Sequence, residues 1–303
     1  MDLKTQIGSV TLQNPVCVAS GTFGYAHEMD KVIDISRIGA VFTKAITKES
    51  RIGNPPPRIV ETPSGMLNAI GLANVGVETF IKEKLPFLKK MKPAFFVNVA
   101  GTIANDYEYV VKRLDDEEGI DGYEINLSCP NVKKGGITFS SHPDETASIV
   151  KQLRKATRRT LVIKLSPNVT DITAYAKAAE NEGADAISLI NTLIGMSIDI
   201  EKKKPRLTNI TGGLSGPAIR PIGVAMTWKA AKVVKIPIIG MGGIVSARDA
   251  IEYMLAGATA IQIGTGNFVN PSTPIEVLNG ISAYLKQHNI KSLERLIGQV
   301  QTS

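Results

Sequence analysis

Cysteine is nearly absent, with two residues, Cys17 and Cys129, in 303. That scarcity excludes a stapling disulfide framework, which belongs to short secreted domains. There is no C-x-x-C pair, and His27, His142 and His288 show no ligand spacing, so no zinc or iron–sulfur cluster is expected in this chain. Aromatic residues make up 5%, too few for a base-stacking platform. No stretch approaches the roughly 18 apolar residues of a membrane span. The opening "MDLKTQIGSV" has no apolar signal-peptide core. A reduced, cytoplasmic setting is therefore expected, with no membrane and no nucleic acid as partner. A dinucleotide fingerprint is missing as well. The spacing of "ASGTFGYA" (19–26) does not fit G-x-G-x-x-G, so a nicotinamide site within this chain is unsupported.

What is present is a series of short, continuous, β-rich apolar runs. They read "PVCVAS" (15–20), "AVFTKA" (40–45), "AFFVNVA" (94–100), "GYEINLS" (122–128), "TLVIKLS" (160–166), "DAISLIN" (185–191), "IPIIGMGG" (236–243) and "TAIQIGT" (259–265). Continuous runs fit strands buried on both faces, as in a parallel sheet. Between them lie amphipathic patterns. The stretch 144–159 carries Ile149, Val150 and Leu153 at helical spacing, 171–185 opens on Asp171 and stops at Gly183, and 246–259 opens on Ser246 and stops at Gly257. Strand–helix alternation repeated eight times predicts a (β/α)₈ TIM barrel, an α/β fold of about 250 residues. The surplus falls in two long connections, 46–93 and 192–235, and 1–303 reads as a single domain.

Catalytic residues of such barrels gather at the carboxyl ends of the strands. Here those ends carry Ser20, Lys44, Asn98, Asn126, Lys164 and Asn191, followed by the turns Gly242-Gly243 and Gly264-Thr265. Asparagines and lysines converging on one face need partners when buried, and a polar, planar, anionic ligand would satisfy them together. Glycine turns after the last two strands match the usual phosphate position of the fold, where backbone N–H groups can approach an anion. The net charge of +7 favours anionic partners in general, although the densest basic run, "EKKKPR" (201–206), reads as a solvated loop. Cys17 lies inside an apolar run and reads as an inert core thiol. Cys129 follows a strand end in a polar loop, "CPNVKKGG", where a reactive thiol and a thiol without a role both remain open.

The set "INLSCPN" (125–131), "LNAIGLAN" (67–74), "VIKLSPN" (162–168), "INT" (190–192) and "GMGGI" (240–244) resembles class 1 dihydroorotate dehydrogenase, in order and over nearly the whole chain. In the membrane-associated class 2 the motif cysteine is a serine and a membrane extension precedes the barrel. "NAIGLAN" and "NTLIGMSID" look like the NAD-linked 1B form rather than the fumarate-linked 1A homodimer. The resemblance implies an FMN enzyme that oxidises dihydroorotate to orotate in pyrimidine synthesis. It also implies a partner subunit carrying FAD and a 2Fe–2S cluster, in a heterotetramer of two copies of each chain.

Carried over, the resemblance makes Cys129 the base for the C5 proton and places Lys44 against both flavin and substrate. It gives the substrate to Asn68, Ala69, Ile70, Gly71 and Leu72, with Asn126, Asn191 and Thr192. It lines the FMN with Ser20, Lys44, Ala45, Asn98, Asn126 and Lys164, and on the far side with Ile190, Gly216, Gly242, Gly243, Gly264 and Thr265. Competing expectations are the fumarate-linked class 1A enzyme, a flavin enzyme acting on other dihydropyrimidines or dihydrouridine, a Schiff-base aldolase using Lys164 or Lys44, and a non-catalytic RNA-binding barrel.

Overall fold

The computed structural model describes residues 2–127 and 142–301. Eight parallel strands close into a barrel: β1 (Val16–Val18), β2 (Ala40–Phe42), β3 (Ala94–Val99), β4 (Gly122–Asn126), β5 (Thr160–Lys164), β6 (Ala186–Leu189), β7 (Ile238–Met241) and β8 (Ala260–Ile263). Each pairs with its sequence neighbours, and β8 pairs with β1 to complete the ring. Every strand falls inside one of the eight apolar runs.

Strand alternation decides which side chains fill the barrel. Phe95, Val97 and Val99 of β3, Tyr123 and Ile125 of β4, and Leu161 and Ile163 of β5 belong to one continuous core that includes the outer helices. The intervening residues turn inward. Cys17, Phe42, Phe96, Val162, Ala186, Ile239 and Ala260 form an apolar interior layer, with the Phe42 and Phe96 rings stacked 4.7 Å apart. Burial pushes the Cys17 thiol far above its ordinary range, as an inert core thiol requires. An antiparallel hairpin that the apolar runs did not reveal, Thr5–Ile7 with Val10–Leu12, adds Ile7 and Leu12 to this layer.

The expected helices form at Pro143–Ala156, Ile172–Asn181 and Ala247–Leu255. The Asp171 carboxylate accepts from the Thr173 N–H, and Ser246 and Asp249 form a reciprocal capping box. Further helices, Ala104–Asp115, Arg220–Ala231 and Thr273–Gln287, complete the outer layer. The alternation lapses after β1. There residues 19–34 run as turns with Phe23, Tyr25 and Ile33 buried, and the connection ends in a single 3₁₀ turn, Ile35–Arg37. Glycines at positive φ, Gly21 and Gly24, interrupt any helical pattern there.

The two long connections build one structure. Ile59–Thr62 and Gly65–Asn68 from the first join Leu193–Met196 and Thr211–Ser215 from the second in a four-stranded antiparallel sheet. Asn68 pairs with Gly213 in its register, which brings the first insertion against the second.

Candidate active site

Below the strand ends, a polar layer replaces the apolar one. Glu124 on β4 is fully buried. Its Oε2 accepts from Asn98 Nδ2 at 2.6 Å, and its Oε1 accepts from Ser188 Oγ at 2.8 Å and Gln262 Nε2 at 2.9 Å. Lys164 Nζ stands 3.6 Å from Oε2 and donates to Ser20 Oγ at 3.1 Å. Asn98 and Lys164 stand at the strand ends as expected, whereas Glu124, Ser188 and Gln262 are not among the expected site residues. Their positions alternate with apolar neighbours in β-rich runs, and that spacing was the available signal.

Above this floor lies a cavity of about 320 Å³, within the range of small-molecule sites. Its walls include the predicted Ser20, Lys44, Ala45, Asn98, Asn126 and Lys164, together with Ile190, Asn191 and Thr192. The first insertion contributes Asn68, Ile70, Gly71 and Leu72. Gly216, Gly242, Gly243, Gly264 and Thr265 close the far end. Ala69 does not line the cavity. It is fully buried in a small cluster with Val60, Leu67 and Leu207, because neighbouring side chains of an extended segment face opposite ways. Cys129 lies outside the described residues.

Several bracing groups came to light only in the fold. Asn74 is buried, donates to Thr47 Oγ1 at 2.8 Å and to the Leu72 carbonyl at 2.7 Å, and accepts from the Gly76 N–H at 2.8 Å. It thereby holds Leu72, whose φ of 58° is left-handed and unusual for a leucine. Asn54 N–H donates to the Ile70 carbonyl at 3.0 Å, fixing the same segment from its other side. Asn168 donates to the Thr192 carbonyl at 2.9 Å and accepts from the Ile194 N–H at 3.0 Å, tying β5's loop to the second insertion. Tyr107 donates to the Asn126 carbonyl at 2.9 Å.

The charge balance of the wall is positive. Burial and the Arg58 guanidinium depress the Lys44 ammonium below the ordinary lysine range, while Glu28 partly offsets them. Arg58, which lines the cavity, donates to the Ile52 and Asn54 carbonyls at 3.3 Å each. Three cations, Lys44, Arg58 and Lys164, and four asparagines, Asn68, Asn98, Asn126 and Asn191, line one cavity, a set that suits a planar anion with amide-like edges.

The far end suits a phosphate. Gly243 has φ +71°, and a Cβ there would lie 2.8 Å from the Gly216 carbonyl oxygen and 3.0 Å from the Arg220 nitrogen. Close packing of two backbone turns therefore demands glycine. At Gly264 a Cβ would meet only the Ala19 Cβ at 3.7 Å, so the protein itself leaves that space open toward an occupant. Tyr253 is buried, and its hydroxyl lies 3.0 Å from the Met241 and 2.8 Å from the Gly242 carbonyl oxygen, supporting the turn from below.

These features fit FMN. The Asn98 Oδ1 acceptor is buried without a donor among the described residues, and the glycine cradle leaves room for a phosphate. Among the described residues no group of three or more histidine, cysteine, aspartate or glutamate side chains could hold a metal. Among the same residues no helix is long and apolar enough to cross a membrane.

A family model described as dihydroorotate dehydrogenase matches residues 2–285. Among curated proteins, the chain is 50% identical over 301 residues to "Dihydroorotate dehydrogenase B (NAD(+)), catalytic subunit" of Thermoanaerobacter sp. (strain X514), covering 99% of both. It is 51% identical over 300 residues to the protein of the same name from Geotalea daltonii, covering 99% of this chain and 98% of that one. A solved structure, DHODH from Eimeria tenella in complex with ferulenol, has the same fold with a TM-score of 0.82. It is 24% identical, and the match covers 98% of this chain and 88% of that one. The family model covers residues 2–285 and the relatives 99% of the chain, and with the motifs and the barrel they show that the chain belongs to the dihydroorotate dehydrogenase family.

Proposed function

We propose that this chain oxidises dihydroorotate to orotate in pyrimidine synthesis, as one FMN-binding catalytic domain spanning 1–303. The observation that carries the reading is the convergence of Asn68, Asn126, Asn191 and Lys44 on one cavity, over a floor of Asn98 and Lys164 and beside a glycine cradle. Ser20, Lys44, Ala45, Asn98, Asn126, Lys164 and Ile190 would hold the flavin ring. Gly216, Gly242, Gly243, Gly264 and Thr265 would hold its phosphate. FMN, when bound, supplies a two-electron acceptor for the hydride leaving C6 of the substrate.

The chain's own residues do the rest. Lys44 pairs with the substrate carboxylate, and the asparagines read the ring's amide edges, which fixes the face presented to the flavin. The segment Asn68 to Leu72, braced by Asn74, closes the substrate side. Cys129 removes the C5 proton. A thiol with an ordinary pKa of about 8.5 is partly thiolate near neutrality, and serine is a far weaker base. Lys164 holds an ammonium at the cavity floor, where it would favour negative charge on a bound flavin.

The final acceptor is NAD, reached through a separate subunit. The relatives' name, with its NAD(+) and its "catalytic subunit", supports that division of labour. The partner carries FAD and a 2Fe–2S cluster, two copies of each chain form a heterotetramer, and the assembly works in the cytoplasm.

The test uses the chain purified alone and loaded with FMN. Dihydroorotate bleaches the flavin band, an artificial dye is reduced, and NAD and fumarate are not. No bleaching overturns the activity. Efficient fumarate reduction moves the chain to the fumarate-linked form, and NAD reduction without a partner overturns the two-subunit scheme.

A further inference from the structure

Glu124 is an acid where the fold asks for none. The layer beneath it is filled by Phe42, Phe96, Val162 and Ile239, and an apolar side chain would plug the same space without desolvating a charge. Glu124 does not line the cavity, yet two of its partners, Asn98 and Lys164, do. We infer that Glu124 is a positioning residue for the flavin floor, setting both the charge and the donor–acceptor pattern that Lys164 and Asn98 offer the cofactor. The inference rests on the flavin reading of this cavity.

Two physical constraints lead there. A carboxylate accepts hydrogen bonds and donates none. Asn98 must therefore turn its Nδ2 toward Glu124, at 2.6 Å, and its Oδ1 away, where it is buried without a donor among the described residues. The amide cannot flip without setting its oxygen against the acid. Lys164 is confined in the same manner, between Glu124 Oε2 at 3.6 Å and Ser20 Oγ at 3.1 Å. Ser188 and Gln262 occupy Oε1, which prevents the acid from swinging toward another neighbour.

The second constraint is charge. The ammonium and the carboxylate form a buried pair under the cavity, Lys164 being 6% and Glu124 0% exposed. In so dry a place each charge acts strongly on whatever sits above it. Lys164 favours a flavin that has gained negative charge, and Glu124 opposes it. Glu124 thus holds the flavin's potential below the value Lys164 alone would set.

The experiment measures FMN affinity and the two-electron midpoint potential in wild type, Glu124→Gln, Lys164→Met and the double variant at pH 7. Glu124→Gln keeps the shape and removes the charge. It is expected to favour reduced over oxidised FMN at least tenfold more than wild type does, an upward shift of about 30 mV for a two-electron couple. Lys164→Met shifts the potential the other way. The double variant, which removes the pair without leaving a lone charge, lies above Lys164→Met by a similar factor, and it serves if Glu124→Gln does not fold. A purely structural plug would weaken both oxidation states alike and leave the potential unmoved. An unchanged or lowered potential in Glu124→Gln, or equal potentials in the double variant and Lys164→Met, overturns the inference while the flavin reading stands. A wild-type chain that binds no FMN overturns both.

Discussion

Replacing Gly243 by alanine tests the phosphate cradle, and Gly264→Ala is its control. At Gly243 the left-handed backbone, φ +71°, costs an alanine about 1–2 kcal/mol. The new Cβ would press on the Gly216 oxygen at 2.8 Å and the Arg220 nitrogen at 3.0 Å, backbone atoms that cannot rotate aside. Overpacking of this kind adds about 1–3 kcal/mol unless the turn opens. The total is below or near the lower end of native stability, about 5–15 kcal/mol, so the protein folds with a lowered melting temperature. The displaced turn must be forced back when a phosphate docks. If about 2–3 kcal/mol of the cost appears in binding, the Kd for FMN rises roughly 30- to 150-fold. Gly264→Ala has neither the positive φ nor the clash, since only Ala19 lies within reach, at 3.7 Å. Its melting temperature stays at the wild-type value while its FMN affinity falls at least tenfold, because there the occupant alone requires the missing side chain. Fluorescence titration of FMN into the apo-protein, with thermal melts of the same samples, separates the two effects. Wild-type affinity in Gly264→Ala would refute the placement of the phosphate, and wild-type stability in Gly243→Ala would refute the strain argument.

Cys129→Ser is expected to slow flavin reduction by dihydroorotate by about 10²- to 10⁴-fold near neutral pH, the usual worth of a general base, with FMN still bound. Stopped-flow traces equal to wild type would remove Cys129 from that role. Orotate affinity is expected to fall as pH rises and Lys44 loses its proton, with a midpoint below the ordinary lysine range because burial and Arg58 depress it. Lys44→Met should abolish this alkaline limb, and a limb that persists in the variant assigns it to another group. The same depression has a definite sign for stability. Between the folded and unfolded pKa the unfolded chain binds more protons, so this group makes the ligand-free protein more stable as pH rises through that window.

The barrel, and most of the residues that line its cavity, were legible in the sequence. Eight β-rich apolar runs, each ending in a polar residue or a glycine turn, became eight strands with those ends around one cavity. Caps at Asp171 and Ser246 marked helix starts because their oxygens have only local work to do. The motif match added Asn68 and Gly216, which no periodicity could have supplied. Tertiary structure decided what depends on partners distant in the chain. Periodicity reports that a segment is buried, not what buries it. The pairing of Gly65–Asn68 with Thr211–Ser215, which joins two insertions into one sheet, was therefore invisible. The hairpin that plugs the barrel with Ile7 and Leu12 consists of strands too short to announce themselves. Ala69 turned into its own apolar cluster because facing is set by the local register of an extended segment. Glu124 looked like any polar residue in an alternating run. Only barrel closure, which brings β3, β5, β6 and β8 around it, gives that carboxylate the donors it needs to be buried at all.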